Sequence, residues 1–286
     1  MDKILIHGAS SWLGKATFNY LISKNYSYDS FILTSNKFTQ LIYLEKKYKL
    51  INSSEVNNIQ DEEIDILYFY SFPTHQIQNE ELLKRDFNKL MSDFEVLISQ
   101  NNIKKIFFAS SGSVYGKGIE EYSIYSKYKK IQEEMVLSYS DKHQIEIQIC
   151  RIFAVIAPFY DLSAKYALTT FINSAINNAF IEVRNPNIKR SYANFNDIVN
   201  LSLKKLETQI YDAATSDITI NSLANLVGEF YNVEVVINQE SSKIATDYLS
   251  HDDFVKNYYK AKNLDININT ISETINTTII NELNIR

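Results

Sequence analysis

The chain has a single cysteine, Cys150, with six glycines and three prolines in 286 residues. One thiol excludes an intramolecular disulfide and a cysteine-based metal cluster. Cys150 lies in an alternating segment, Ile145-Glu-Ile-Gln-Ile-Cys-Arg-Ile-Phe, and reads as a small buried side chain rather than a nucleophile. Nor does any apolar run reach membrane-spanning length, and no signal-peptide core precedes the first strand at Ile4-Leu-Ile6, so a cytoplasmic protein with no membrane partner is expected. Positive charge is short too. The net charge of −5 argues against a nucleic-acid partner, whose phosphates demand a basic surface. Because glycine is scarce, each one present is informative.

At 45% hydrophobic and 22% charged, the composition is that of a chain that buries a core. Strand and helix signals alternate through the first half. Strands are expected at Lys3–Ile6, Phe31–Leu33, Ile64–Tyr70, Lys105–Ala109 and Glu146–Val155. Helices are expected at Gly14–Ser23, Thr39–Tyr48, Glu80–Gln100 and Ser123–Ser140. Such β-α-β units build an α/β protein with a doubly wound parallel sheet, its ligands at the carboxyl ends of the strands. Beyond Val155 the pattern changes. Helices are expected at Phe171–Ala179, Asp197–Glu207 and Thr219–Tyr231, extended segments at Arg190–Asn196 and Val233–Ile237, and a helical period from Ile266 to Leu283. This part reads as a smaller lobe.

The first strand runs into Gly8-Ala-Ser-Ser-Trp-Leu-Gly14 and then a helix. Glycine at such a turn lets backbone amides approach a pyrophosphate, and the helix N-terminus favours the anion. Ser10, Ser11, Trp12 and Leu13 complete the candidate loop. Ser11 replaces the middle glycine of a GxxGxxG pattern, so the loop alone fits a ligand-free turn equally well. The second strand ends in Thr34-Ser35-Asn36-Lys37, with no carboxylate before Glu45. NAD sites place an acid here for the ribose 2′-hydroxyl, whereas small polar and cationic groups suit the 2′-phosphate of NADP. Lys37 also fits an ordinary solvated lysine.

After the fourth strand come Ala109-Ser-Ser-Gly-Ser-Val-Tyr-Gly116 and then Tyr125-Ser-Lys-Tyr-Lys129. Tyr122 and Tyr128 lack a lysine four residues on. Tyr125 and Lys129, at i and i+4, share a helical face, and the ammonium favours the phenolate. Taken in order, the glycine loop, this serine segment and YxxxK resemble the extended short-chain dehydrogenases, which include sugar-nucleotide epimerases, dehydratases and reductases. The resemblance implies a Rossmann sheet with a smaller C-terminal substrate-binding lobe. The dinucleotide domain is then 1–158, with 180–207 packed back on it, and 159–286 is mainly the lobe. It also implies catalytic roles for Tyr125, Lys129 and Ser111, with Ser110 as the fallback for Ser111. Adenine contacts are implied at Asn58 and Ile59, and further cofactor contacts at Tyr70, Ser71, Phe72 and Asn88. Substrate contacts are implied at Ser111, Ser113 and Arg190, the last on the nucleotide diphosphate. Ala154 stands where the family often has a substrate-contacting asparagine.

Gly112 and Ser113 replace the Asp-Glu of the family's 4,6-dehydratases, and Ser113 the cysteine of its epimerase-reductases. Two readings survive: a reductase using NADPH on a nucleotide-linked keto sugar, and a 4-epimerase that keeps NAD bound. Thr34–Lys37 favours the reductase. A non-catalytic NAD(P)-binding regulator is the rival from another class, although such proteins usually lose the tyrosine or lysine that this chain keeps. A homodimer through the helices at Glu80–Gln100 and Ser123–Ser140 is the family's usual assembly.

Overall fold

Ile4, Leu5 and Ile6 are wholly buried, as are Leu67, Tyr68 and Phe69, because both faces of their sheet are covered. The sheet has seven strands: β1 (Ile4–His7), β2 (Phe31–Ser35), β3 (Ile51–Asn52), β4 (Ile66–Phe69), β5 (Lys105–Ser111), β6 (Glu146–Ile152) and β7 (Gln209–Ala213). Their spatial order is β7-β6-β5-β4-β1-β2-β3. β1 runs parallel to β2 and β4, β2 to β3, and β4 to β5. Chain order reverses between β1 and β4, whose carboxyl ends therefore border the crevice used by ligands in doubly wound sheets. This computed structural model describes residues 3–36, 38–43, 46–116, 123–161, 164, 166–238, 246–259 and 268–283. It has the α/β, Rossmann-like architecture expected from the alternating pattern.

Three helices matter for the site: α1 (Trp12–Ser23), α2 (Glu80–Ser99) and α3 (Ile124–His143). Helix α2 starts where the Asn79 side chain accepts the Leu82 amide, and Glu80 and Glu81 sit at the positive end of its dipole. Leu83, Phe87, Met91, Phe94 and Ile98 recur at helical spacing and are buried, while Lys84, Arg85 and Lys89 are exposed. The Phe94 ring stacks on Phe69 of β4 at 4.0 Å.

One expected element is different. Thr39–Tyr48, read as a helix, contains an antiparallel hairpin, with Gln40–Tyr43 paired to Lys46–Lys49. The reason lies in the second arm. Lys46, Lys47 and Lys49 are exposed, and Tyr48 alone turns inward, to Phe18 at 5.1 Å and Tyr28 at 5.2 Å. The arm Lys46–Lys49 has one inward residue between exposed lysines, which suits a pleated arm that needs only alternate residues inward. The crossover from β2 to β3 thus carries a hairpin.

The chain divides into two compact units. The first runs to Arg151 and takes in Val199–Tyr211; it holds β1 to β5, nearly all of β6, and α1 to α3. The second comprises Ile152–Ile198 and the chain from Asp212. It contains a three-stranded sheet with Lys189–Asn194 between Ala154–Ile156 and Ser216–Thr219, and a parallel pair, Phe180–Val183 with Glu234–Ile237. Helices Ala167–Asn178, Ile220–Tyr231 and Ile268–Leu283 pack in this unit, the middle one against both others.

Phe94→Ala should cost about 3–5 kcal/mol, the usual penalty for truncating a buried phenylalanine. Urea unfolding should show a lower midpoint with an unchanged slope.

Candidate active site

The turn after β1 is fixed by two glycines. Gly8 has φ +94°, which favours glycine, and a Cβ at Gly14 would lie 2.3 Å from the Gly8 carbonyl oxygen. Helix α1 can therefore start hard against the turn. Ser11 caps it, its Oγ accepting the Gly14 amide at 3.1 Å. The Gly8 and Ala9 amides donate to the Thr34 carbonyl, which ties the turn to the end of β2. There the Ser10 and Ser35 hydroxyls meet at 2.6 Å, and Ser35 Oγ also accepts the Phe38 amide. Thr34 and Ser35 are buried and Asn36 is exposed; Lys37 and Glu45 lie outside the described residues. His7, which the sequence reading did not single out, bonds Thr34 Oγ1 through Nδ1 at 2.7 Å, and burial draws its pKa down to about 4. It is neutral at physiological pH.

The second cluster lies at the end of β5. Strand alternation sends Ser110 and Ser111 in opposite directions. Ser110 is buried and donates to Glu133 Oε1 at 2.6 Å. Ser111 is only partly buried, caps a 3-10 turn over Gly112–Tyr115, accepts the Ser113 amide and bonds the Ser113 hydroxyl at 3.0 Å. Gly116, with φ +67°, ends that turn.

Helix α3 begins at the Ser123 cap and presents Tyr125 in its first turn. The Tyr125 ring meets Phe72 edge-on at 5.0 Å. Lys129, one turn on, is 4% exposed. Its Nζ donates to the Ala109 carbonyl at 2.9 Å and to Gln132 Oε1 at 3.2 Å, and it lies 4.9 Å from the ring centres of both Phe72 and Phe108. Burial lowers the Lys129 pKa to about 7 against the opposing pull of Glu133. Glu133 itself is wholly buried and held by Arg151 in a bidentate pair, with Nε at 2.9 Å and Nη2 at 2.7 Å. Burial pushes its pKa up, but the Arg151 and Ser110 hydrogen bonds and the guanidinium charge outweigh that, leaving it below the usual carboxylate range.

The candidates of the first unit thus fall into groups. Gly8 to Gly14 follow β1 and are tied to Thr34 at the end of β2, with Ser35 and Asn36 beyond it, and Tyr70 and Ser71 follow β4. The Tyr70 hydroxyl bonds Thr17 of α1 at 2.6 Å, and the Ser71 carbonyl accepts from Gln132. Phe72, Ser111, Ser113, Tyr125 and Lys129 surround the ends of β4 and β5. Asn58 is exposed at the end of a 3-10 turn, and the Ile59 side chain is part of the core. Asn88 is on the exposed face of α2, and the structure does not bring it to these groups. Tyr122 lies outside the described residues. In the second unit, Arg190 sits on the strand Lys189–Asn194, and its Nη1 donates to the Lys189 and Thr246 carbonyls at 3.1 and 2.6 Å. No carboxylate among the described residues pairs with it. Gln132 and Glu133 escaped the sequence reading. Their signal was position: they follow Lys129 at i+3 and i+4, on the face that carries it inward.

The strand order, the glycine turn and the capped α1 define a dinucleotide-type α/β protein. The chain belongs to the NAD dependent epimerase/dehydratase family, whose model matches residues 4–221. UDP-glucuronic acid decarboxylase 5 of Arabidopsis thaliana is 26% identical over 153 residues, which cover 46% of this chain and 45% of the plant protein. The match therefore spans less than half the length of that relative. Among solved structures, a UDP-N-acetylglucosamine 4-epimerase from Methanobrevibacter ruminantium M1, in complex with UDP-N-acetylmuramic acid, superposes with a TM-score of 0.75 at 16% identity, covering 100% of this chain and 99% of its own. RMD from Pseudomonas aeruginosa, complexed with NADPH, superposes with a TM-score of 0.66 at 15% identity, covering 96% and 97%. At these identities the likeness is one of fold. Among the described residues, no helix is long and apolar enough to cross a membrane and no acidic, histidine or cysteine group could hold a metal.

Glu133→Ala should destabilise the protein by about 3–5 kcal/mol, because the Arg151 guanidinium loses its buried partner. The sign with pH follows from the lowered carboxyl pKa. The contribution of Glu133 is complete above the unfolded-state carboxylate pKa and is lost as pH falls through the folded one. The stability gap between wild type and Glu133→Gln, read by denaturant unfolding, should therefore narrow under acid conditions.

Proposed function

We propose that the protein is an NADPH-dependent reductase of a nucleotide-linked keto sugar, most simply a 4-keto sugar, with Tyr125 as its proton donor. The observation that carries this reading is the end of β2. Thr34, Ser35 and Asn36 stand where an NAD site has a carboxylate; Thr34 and Ser35 are buried, Ser35 anchored on Ser10 beside the glycine turn, and the Asn36 amide is exposed. The turn suits a dinucleotide, since Gly14 admits the close approach of helix and turn that a Cβ would block. Residues 10–14 would hold the pyrophosphate on the first-turn amides of α1, and Thr34 to Lys37 the 2′-phosphate. The cofactor, when bound, supplies a hydride to the carbonyl carbon of the sugar.

The rest of the chemistry belongs to the chain. As the carbonyl carbon is reduced its oxygen gains negative charge, and Tyr125 gives that oxygen a proton. The buried Lys129 ammonium stabilises the phenolate left behind and so eases the transfer. Ser111 donates to the same oxygen. Ser110 is unsuited to that task because it is buried and bonded to the Glu133 carboxylate, whereas the partly exposed Ser111 donates only to the Ser113 hydroxyl and can turn from it. Arg190 is the candidate for the diphosphate: two backbone carbonyls orient its Nη1, and among the described residues no hydrogen bond engages Nε or Nη2, which would face the anion.

Dissociation constants for NADPH and NADH should favour NADPH, and Lys37→Glu should erase or reverse the preference. Tight copurifying NAD, or equal affinities unmoved by the substitution, would transfer the reading to a 4-epimerase. Tyr125→Phe should lower kcat by at least ~100-fold with cofactor binding retained. Near-wild-type turnover by this variant would end the assignment. Arg190→Ala should weaken nucleotide-sugar binding with little change for NADPH.

A further inference from the structure

A buried ammonium needs acceptors, and those around Lys129 are unusual in being neutral. The Ala109 carbonyl at 2.9 Å is supplied by the backbone, and the side-chain acceptor is Gln132 Oε1 at 3.2 Å. Gln132 is 0% exposed. Its other end is pinned as well, since Nε2 donates to the Ser71 carbonyl at 3.3 Å and lies 3.7 Å from Met91 Sδ. The amide is therefore oriented with its oxygen toward Lys129, and it connects the turn that follows β4 to the lysine. A leucine would fill this interior slot of α3 without stranding any polar atom of its own.

We propose that Gln132 is a positioning residue for Lys129: it fixes the direction of the ammonium and sustains its charge in a site where no carboxylate among the described residues hydrogen-bonds it. The reading rests on the role given above to Tyr125 and Lys129.

The groups that face Lys129 support the assignment. On α3 itself, Tyr125 lies one turn earlier, and the Glu133 carboxylate is engaged by Arg151 of β6, Ser110 of β5 and Lys130. Strand β5 presents the Ala109 carbonyl and the Phe108 ring; the turn after β4 presents the Phe72 ring. Glu133 is the charge that raises the Lys129 pKa, and burial outweighs it. With the neighbouring carboxylate occupied, the Gln132 oxygen is the side-chain dipole left to support the ammonium.

Two substitutions should act in opposite directions. Gln132→Leu removes the acceptor, and Gln132→Glu replaces it with a carboxylate of nearly the same shape. The test follows the pH dependence of the Lys129 Cε resonance in 13C-lysine-labelled full-length protein, assigned by its loss in Lys129→Met, alongside the alkaline limb of kcat for keto-sugar reduction. Gln132→Leu should move both midpoints down by roughly one pH unit and Gln132→Glu should move both up, as expected for removing or strengthening a hydrogen bond to a charged group. A merely structural glutamine would lower the melting temperature of both variants without shifting the lysine titration in opposite senses. If neither variant moves the Lys129 resonance, the proposal is overturned. Should Gln132→Leu fail to fold, the upward shift in Gln132→Glu decides alone. If the resonance moves as expected while the rate profile stays fixed, Gln132 does hold Lys129, and it is the catalytic role of Lys129 that falls.

Discussion

Everything at the centre of this protein has to accommodate a polar stripe that points inward. Ser126, Lys129, Gln132 and Glu133 of α3 are all buried, on a helix that also buries Tyr128, Val136 and Tyr139. Desolvating an ammonium and a carboxylate side by side costs more than a hydrophobic contact returns, so each must find internal partners. Those partners are drawn from β5 and β6 and from the turn after β4: Ser110 and Ala109, Arg151, and Ser71. The ends of two strands and the turn beside a third are tied to one helix by this requirement. The same requirement explains why Ser110 points in and leaves Ser111 at the crevice.

The two charges are not satisfied alike. Glu133 takes the fixed fork of Arg151, a geometry that holds a carboxylate ionised in a dry setting. Had Lys129 taken Glu133 instead, it would be a strongly held cation with little tendency to give up charge. Left with a carbonyl, an amide and two ring faces, it remains a cation that burial brings near neutrality, its pKa lowered to about 7. Arg151 thereby acts on Lys129 from a distance, by occupying the neighbouring acid. A lysine in this condition responds to small changes in its surroundings, which fits the tuning role proposed for it toward Tyr125.

How far the sequence was legible depends on what kind of signal each feature carries. The parallel strands are near-continuous apolar runs, such as Ile4-Leu-Ile6 and Ile66-Leu-Tyr-Phe69, and could be read directly because burial on both faces leaves no room for alternation. The hairpin at Gln40–Lys49 could not. Its lysines satisfy a helical surface as readily as a strand, and the deciding contact, Tyr48 on Phe18 and Tyr28, joins residues far apart in the chain. The order of the glycine turn, Ser111, Tyr125 and Lys129 was visible as spacing. The roles of Gln132 and Glu133 were not, because a glutamine and a glutamate in a helix of mixed composition look like solvated residues until the face they occupy is known. Asn88 illustrates the converse. Its contact was implied by the resemblance alone, and the helical phase puts it outward between Phe87 and Met91, which point in.

The end of β2 joins these two halves of the problem. A carboxylate there would have to sit where Ser35 is buried against Ser10, with the Phe38 amide aimed at it and no cation among the described residues to balance it. The hydroxyl pair avoids that desolvation, and it leaves a small neutral floor next to an exposed Asn36. A floor of that kind would suit the 2′-phosphate proposed for it, because the phosphate would keep most of its charge in water and need only donors on one side. The same economy recurs at Lys129. There neutral dipoles again face a charge, while the buried pair of Glu133 with Arg151 ties helix α3 to β6.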